Sequence, residues 1–148
     1  MKQRLYLLLA GMLCIPMGAF QGYCAESTKA LLGSWSGKVT GPQGGPPTGD
    51  VVVTFEKAAS GIKGKIIVTA PGGAQYSGQI SNIALKNKIF SATATFKLGE
   101  NPLETQVSGP LKGKTIQGIF AVIAKGQKMG EGTFTITRGP APAKKKPQ

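Results

Sequence analysis

Apolar and polar residues alternate with a period of two along most of the chain after residue 34. Near the start, Trp35, Gly37 and Val39 alternate with serine, lysine and threonine. Because successive side chains of a β-strand point to opposite faces, this period predicts strands with one buried and one solvated face. Such segments lie at 35–39, 51–56, 62–69, 76–80, 90–96, 107–111, 116–122 and 132–136. The pattern predicts an all-β domain of about eight strands.

Glycine recurs two positions before an inward apolar residue, which places both on the same face of a strand. This spacing occurs at Gly37, Gly64, Gly78, Gly109, Gly118 and Gly132. Glycine inside a strand is typical of a bend or of a close approach by another backbone. The strongly coiled strands of a closed barrel need such positions. We therefore expect a small up-and-down antiparallel β-barrel, with a β-sandwich as the alternative.

The N-terminus has the features of a secretory signal peptide. Lys2 and Arg4 precede a nearly unbroken aliphatic stretch, Leu5–Leu13, which is too short to span a bilayer comfortably. Cleavage after Cys24 or Ala25 would remove both cysteines. These features divide the chain into a signal peptide (1–25), a barrel domain (26–139) and a tail (140–148), and they predict export to the periplasm or beyond. Lipidation at Cys24 and an uncleaved anchor are the alternatives.

Basic residues outnumber acidic ones by 18 to 6, and by 16 to 6 from residue 26 onward. Lys144, Lys145 and Lys146 stand in a tail without apolar periodicity, which predicts disorder there. The excess charge would favour an anionic envelope polymer or acidic lipid headgroups as a partner. Lysines scattered on outward strand faces for solubility are the simpler interpretation. No aromatic platform accompanies the lysines, so specific nucleic-acid binding is not expected.

The residues available for chemistry argue against an enzyme. The chain has no histidine, and Asp50 is its one aspartate. A histidine-based triad is therefore excluded, and the mature sequence lacks ligands for a metal site. Glu100 and Glu104 are expected to be ordinary exposed charges. The glycine-rich stretch 41–49 opens no helix and lacks the lysine of a phosphate-binding loop, so we predict no cofactor and no transmembrane segment in the mature chain.

Three short motifs carry a resemblance to bacterial secreted lipocalin-like domains, within the lipocalin, avidin and fatty-acid-binding group of barrels. They are Leu32 to Trp35, Gly64 to Ile66 and Gly132 to Arg138, within a resemblance that extends over 31–139. The resemblance implies that Trp35 lies at the closed end of the barrel and packs under Arg138. The chain lacks the tryptophans of an avidin biotin site and the Arg–Tyr grip of fatty-acid binders, so neither ligand is carried over.

Closure of the barrel makes the same pair meet for a topological reason. If the strand at 34–40 lies beside the strand at 131–138 in antiparallel sense, Trp35 and Arg138 come to the same end. A guanidinium over an indole face would stabilise that closure. The first and last strands are therefore predicted to pair.

Two functions remain open at this point. An eight-stranded barrel is just wide enough to be filled by side chains or to hold one small ligand. As a carrier, the protein would bind a small apolar molecule against Phe55, Phe90 and Phe120, with the Tyr76 hydroxyl as an anchor at the mouth. As an interaction module of the cell envelope, it would have a filled barrel and would contact anionic polymers or a protein partner through its basic surface and tail. The simpler interpretation of Tyr76 is an ordinary core aromatic whose hydroxyl reaches solvent. A cavity above about 300 Å³ would favour the carrier.

Overall fold

A computed structural model describes residues 28–41 and 47–139. The strands are β1 (Gly33–Thr40), β2 (Pro47–Ala58), β3 (Gly61–Thr69), β4 (Gln75–Lys86), β5 (Ile89–Leu98), β6 (Asn101–Lys112), β7 (Thr115–Ala124) and β8 (Gln127–Arg138). Each strand pairs in antiparallel sense with the next, and β8 pairs with β1. The protein is an all-β, closed, up-and-down barrel, as predicted.

The first and last strands close the barrel through a continuous register. Trp35 lies opposite Arg138, and Thr40 lies opposite Thr133. Along β8, Phe134 and Ile136 are buried, whereas the residues between and beside them are exposed. The predicted pairing of the first and last strands is therefore confirmed, and the two-residue period of the sequence corresponds to the inside and outside of the barrel.

Glycine on the inner face permits close approach of neighbouring strands. A Cβ built on Gly37 would overlap the carbonyl oxygen of Thr135 on β8. A Cβ built on Gly118 would lie 2.7 Å from the Cα atom of Gly109 on β6. Side chains at these positions would force the hydrogen-bonded strands apart, so the glycines allow the tight coiling that a small barrel needs.

Successive connections between the strands lie at opposite ends of the barrel, which we call the closed end and the open end. The closed end comprises the start of β1, the turns at 59–60, 87–88 and 113–114, and the end of β8. The open end comprises the end of β1, the start of β2 and the connections at 70–74, 99–100 and 125–126.

Three fully buried side chains fill the closed end: Leu31, Trp35 and Ile116, each at most 1% exposed. Leu31 precedes β1 and is held by a turn in which its amide donates to the carbonyl of Thr28 at 3.0 Å. The indole Nε1 of Trp35 donates to the Leu31 carbonyl oxygen at 2.7 Å. The turn and the indole therefore form a plug at this end.

Several predictions fall on residues that the structure does not describe. The signal peptide over 1–25, the lipidation alternative at Cys24 and the tail over 140–148 all lie outside the described residues. In the two ranges that are described, no helix is long and apolar enough to cross a membrane.

Candidate functional site

The interior of the barrel contains a cavity of about 530 Å³. The inward side chains of all eight strands contribute to it, and Gly41 at the end of β1 adds backbone. The lining residues are Val39, Gly41, Val51, Val53, Phe55, Ile66, Val68, Tyr76, Ile80, Phe90, Ala94, Phe96, Leu103, Thr105, Val107, Phe120, Val122, Gly130, Glu131, Phe134 and Ile136. Its volume lies within the range of about 300–1,000 Å³ for small-molecule sites.

Two aromatic rings line the cavity toward the closed end and form its floor, Phe55 near the end of β2 and Phe90 near the start of β5. The rings of Phe55 and Phe90 meet edge to face, with centroids 5.8 Å apart and an interplanar angle of 72°. The Phe55 ring also covers Gly64 on the neighbouring strand, because a Cβ there would lie 3.0 Å from its Cδ1. This packing makes the floor rigid and apolar.

All four residues predicted to line a ligand site border the cavity: Phe55, Tyr76, Phe90 and Phe120. Phe120 lies against Gly132 on β8, at a position where a Cβ would be 2.6 Å from its Cζ. Tyr76 stands near the start of β4 at the open end and is 43% exposed. A tyrosine placed there borders both the apolar interior and the solvent, as an anchor at the mouth and a core aromatic with a solvated hydroxyl both would.

One polar residue of the cavity wall, Thr105 on β6, was not predicted. It is inward and half-buried, between Leu103 and Val107, which also line the cavity. Within the described part of the chain, its hydroxyl makes no side-chain hydrogen bond, so it can donate or accept one inside the cavity. The alternation from Val107 back to Leu103 was the signal that could have identified it.

The rim of the cavity carries one charged residue, Glu131. Its carboxylate forms an ion pair with Lys128 on the same strand, and both side chains are exposed. Lysine and arginine are absent from the described lining residues. No group of three or more histidine, cysteine, aspartate or glutamate side chains assembles within 28–41 and 47–139. The cavity is therefore a predominantly apolar space whose lining residues include two that carry a hydroxyl group, Thr105 and Tyr76.

The pair Trp35 and Arg138 meets at the closed end, but the predicted stacking is wrong. Their Cα positions oppose one another across β1 and β8. The guanidinium instead lies beside Gly33, where a Cβ would be 3.6 Å from its Nε and 3.8 Å from its Nη2. The described residues contain one aromatic ring pair, Phe55–Phe90, and no cation–π contact. The missing Cβ at Gly33 leaves room for the long arginine side chain.

Glu100 and Glu104, the two glutamates that were considered as an acid–base pair, lie on the surface at the open end. Glu100 lies in the turn between β5 and β6, and Glu104 lies opposite Thr95 on the outer face of the barrel. Both are exposed. The cavity's inward side chains are thus separate from these carboxylates, which accords with their interpretation as ordinary surface charges.

Comparisons of the chain with protein families, with curated proteins and with solved structures find no match in any of the three. The structure can therefore be compared with known folds only through its architecture. The closed eight-stranded antiparallel barrel is consistent with a lipocalin-like fold.

Proposed function

We propose that this protein is a non-enzymatic, lipocalin-like carrier that binds one small, uncharged, apolar molecule inside its barrel. The observation that carries the proposal is the cavity of about 530 Å³, which is closed at one end by Trp35 and Leu31. A packed protein interior ordinarily leaves few voids larger than a water molecule. An apolar cavity of this size is typical of a site whose ligand completes the core.

The charges around the cavity favour a neutral ligand. A buried carboxylate without a partner is strongly unfavourable, and the described lining offers no basic side chain to pair with one. A ligand cation would meet Glu131 only at the rim, where Lys128 already pairs with that carboxylate. Fatty acids and amines are therefore expected to bind less tightly than neutral molecules of the same length.

The hydroxyl groups suggest how the ligand is oriented. Its apolar body would pack against the floor formed by Phe55 and Phe90. A hydroxyl or carbonyl group of the ligand would reach Thr105 or Tyr76, nearer the open end. A few polar groups in an apolar pocket commonly fix orientation in this way.

The test uses Nile red, a neutral dye that fluoresces in apolar surroundings. We expect saturable binding, displacement by a long-chain alcohol, and weaker displacement by the fatty acid of the same length. Ala94 lines the cavity and Ala121 lies outside it on β7, so A94F should abolish binding whereas A121F should leave it intact. Thr105→Val should weaken binding of the alcohol about 5-fold or more, the loss of one hydrogen bond of about 1 kcal/mol.

Absence of dye binding, together with a ligand-free mass in native mass spectrometry of protein from its own host, would contradict the carrier proposal. Equal loss of binding in A94F and A121F would also contradict it, because the dye would then not occupy the barrel. The interaction module of the cell envelope would become the better account.

We also propose that the carrier is exported. The support is the sequence of the N-terminus, where Lys2 and Arg4 precede Leu5–Leu13. Intact-mass measurement of the mature protein should find an N-terminus near residue 25. A diacylglyceryl adduct on Cys24 would establish the lipoprotein instead, and recovery of Met1 in the membrane fraction would contradict cleavage.

A further inference from the structure

Basic side chains collect at the closed end of the barrel. Lysines that stand singly in the sequence come together there: most occupy exposed positions on the strands, as expected, but they are concentrated toward one end of the barrel. Eight of the thirteen basic residues of the described chain belong to this group, which we call the closed-end basic cluster: Lys29, Lys57, Lys63, Lys86, Lys88, Lys112, Lys114 and Arg138.

The cluster has little compensating negative charge. Every member is exposed, and the nearest acidic residue in sequence, Glu56, pairs with Lys63 at 3.7 Å. The other seven members form no ion pair with any described residue. The cluster and Glu56 together carry a net charge of +7, whereas the rest of the described chain has five basic and four acidic residues.

The remainder of the barrel is close to electrically balanced. Lys38 pairs with Asp50 at 2.9 Å, and Lys128 pairs with Glu131. The connection 70–74 at the open end carries no charged residue. The molecule therefore has a strongly positive pole at the closed end, and the mouth of the cavity lies at the other pole.

The arrangement of the cluster suits a broad anionic surface. Its members lie in or beside the three hairpin turns, just before β1 and at the end of β8, around the plug formed by Leu31, Trp35 and Ile116. A flat surface can contact all of these turns at once, whereas a linear polymer contacts only those along one line. Ile89, beside one turn, is 45% exposed and offers an apolar side chain to an interface.

We propose that the protein docks by its closed end on the surface of a bilayer rich in anionic phospholipid, with the mouth of the cavity facing away. The charge complementarity carries the proposal, since each lysine near an anionic lipid surface strengthens binding about fivefold. The chain also leaves β8 at this end, and the sequence after it contains Lys144, Lys145 and Lys146. This proposal does not depend on the ligand in the barrel.

The test is co-sedimentation of the purified protein, its N-terminus established by mass spectrometry, with lipid vesicles. Vesicles of phosphatidylcholine are compared with vesicles of phosphatidylcholine and phosphatidylglycerol at about 0.1 M salt, where the Debye length is about 10 Å. We expect binding only to the second kind, and weaker binding as salt is added. Soluble polyphosphate serves as the linear polyanion for comparison.

Matched charge variants locate the docking surface. K86Q/K112Q removes two charges from the closed-end basic cluster and should weaken vesicle binding about 30-fold. K97Q/K125Q removes two exposed charges at the open end and should change it by about threefold or less, because the removed charges lie farther from the bilayer. K57Q/K114Q provides a second pair from the cluster, and unfolding midpoints verify that each variant is folded.

Three outcomes would overturn the proposal. Equal weakening by K86Q/K112Q and K97Q/K125Q would mean that net charge alone attracts the vesicles. Equal binding to neutral vesicles would assign the attraction to apolar contact. Tight binding to polyphosphate without binding to anionic vesicles would identify a linear polyanion as the partner.

Discussion

The two ends of this barrel are built from the same alternating strands, yet one is filled and the other is hollow. At the closed end, Leu31, Trp35 and Ile116 are almost completely buried. Toward the open end, inward positions line a cavity of about 530 Å³. The alternation of apolar and polar residues is the same at both ends. The difference therefore comes from the size of the inward side chains and from the segment before β1, whose Leu31 covers the closed end.

The sizes of the inward residues follow this difference. Near the closed end they are mainly tryptophan, phenylalanine, isoleucine and leucine. Near the open end many are smaller: Val39, Val51, Val68, Thr105, Val122 and Gly130, although Tyr76, Phe96 and Leu103 also lie there. A barrel of eight strands has a nearly fixed width, so smaller inward side chains leave space unfilled. The comparison predicts that stability depends mainly on the closed end and ligand binding on the other.

The largest effect is expected at the plug. Trp35→Ala removes a buried indole and its hydrogen bond to Leu31, and it should lower the free energy of unfolding by about 3–5 kcal/mol. Trp35 is the only tryptophan, so unfolding must be followed by circular dichroism. Trp35→Phe, which retains a ring, should cost about 1–3 kcal/mol. A loss below about 1 kcal/mol in Trp35→Ala would refute the importance of the plug.

Next in size is the effect of adding a methyl group between β1 and β8. Gly37→Ala should cost about 1–3 kcal/mol, because the Cβ would overlap the Thr135 carbonyl oxygen of the paired strand. Gly130→Ala is the control, since no atom lies within 4 Å of a Cβ built there. That change should be neutral or stabilise by up to about 1 kcal/mol. Urea titrations of the two variants test this, and similar losses in both would argue against close approach at Gly37.

A matched pair of smaller truncations compares the two environments directly. Ile116→Val removes a methylene from the filled end and should cost about 0.5–1.5 kcal/mol. Ile66→Val makes the same change in the half-buried wall of the cavity and should cost less, because the removed group already borders empty space. Thermal unfolding of both variants measures the difference. An equal or larger loss for Ile66→Val would contradict the contrast between the ends.

The smallest effect is expected for Arg138→Lys, about 0.5 kcal/mol or less. The guanidinium is exposed and lies beside Gly33 without a cation–π contact, so lysine can occupy the same path and retain the charge. Chemical denaturation of this variant beside the parent protein is the measurement. A loss above about 1 kcal/mol would show that the planar guanidinium contributes a contact that lysine cannot replace.

Residue pattern was sufficient for most of the architecture. The period of two located all eight strands, and the inward glycines favoured a closed barrel over a sandwich. Phe55, Phe90 and Phe120 were placed on the inner wall by the same alternation. These features depend on the local rule that strand side chains alternate and on close contacts between adjacent strands, both of which leave a direct trace in sequence.

Tertiary structure decided the remaining properties. The volume of the cavity depends on how inward side chains from eight strands share one interior, which no single segment specifies. The position of the Arg138 guanidinium beside Gly33 depends on the pairing of β8 with β1. The closed-end basic cluster arises because every second connection of an up-and-down barrel returns to the same end, so lysines far apart in the chain become neighbours. The sequence by itself determined the strands and their inner faces. Closure of the barrel determined the volume of the cavity that the strands enclose and the cluster of positive charge at one end.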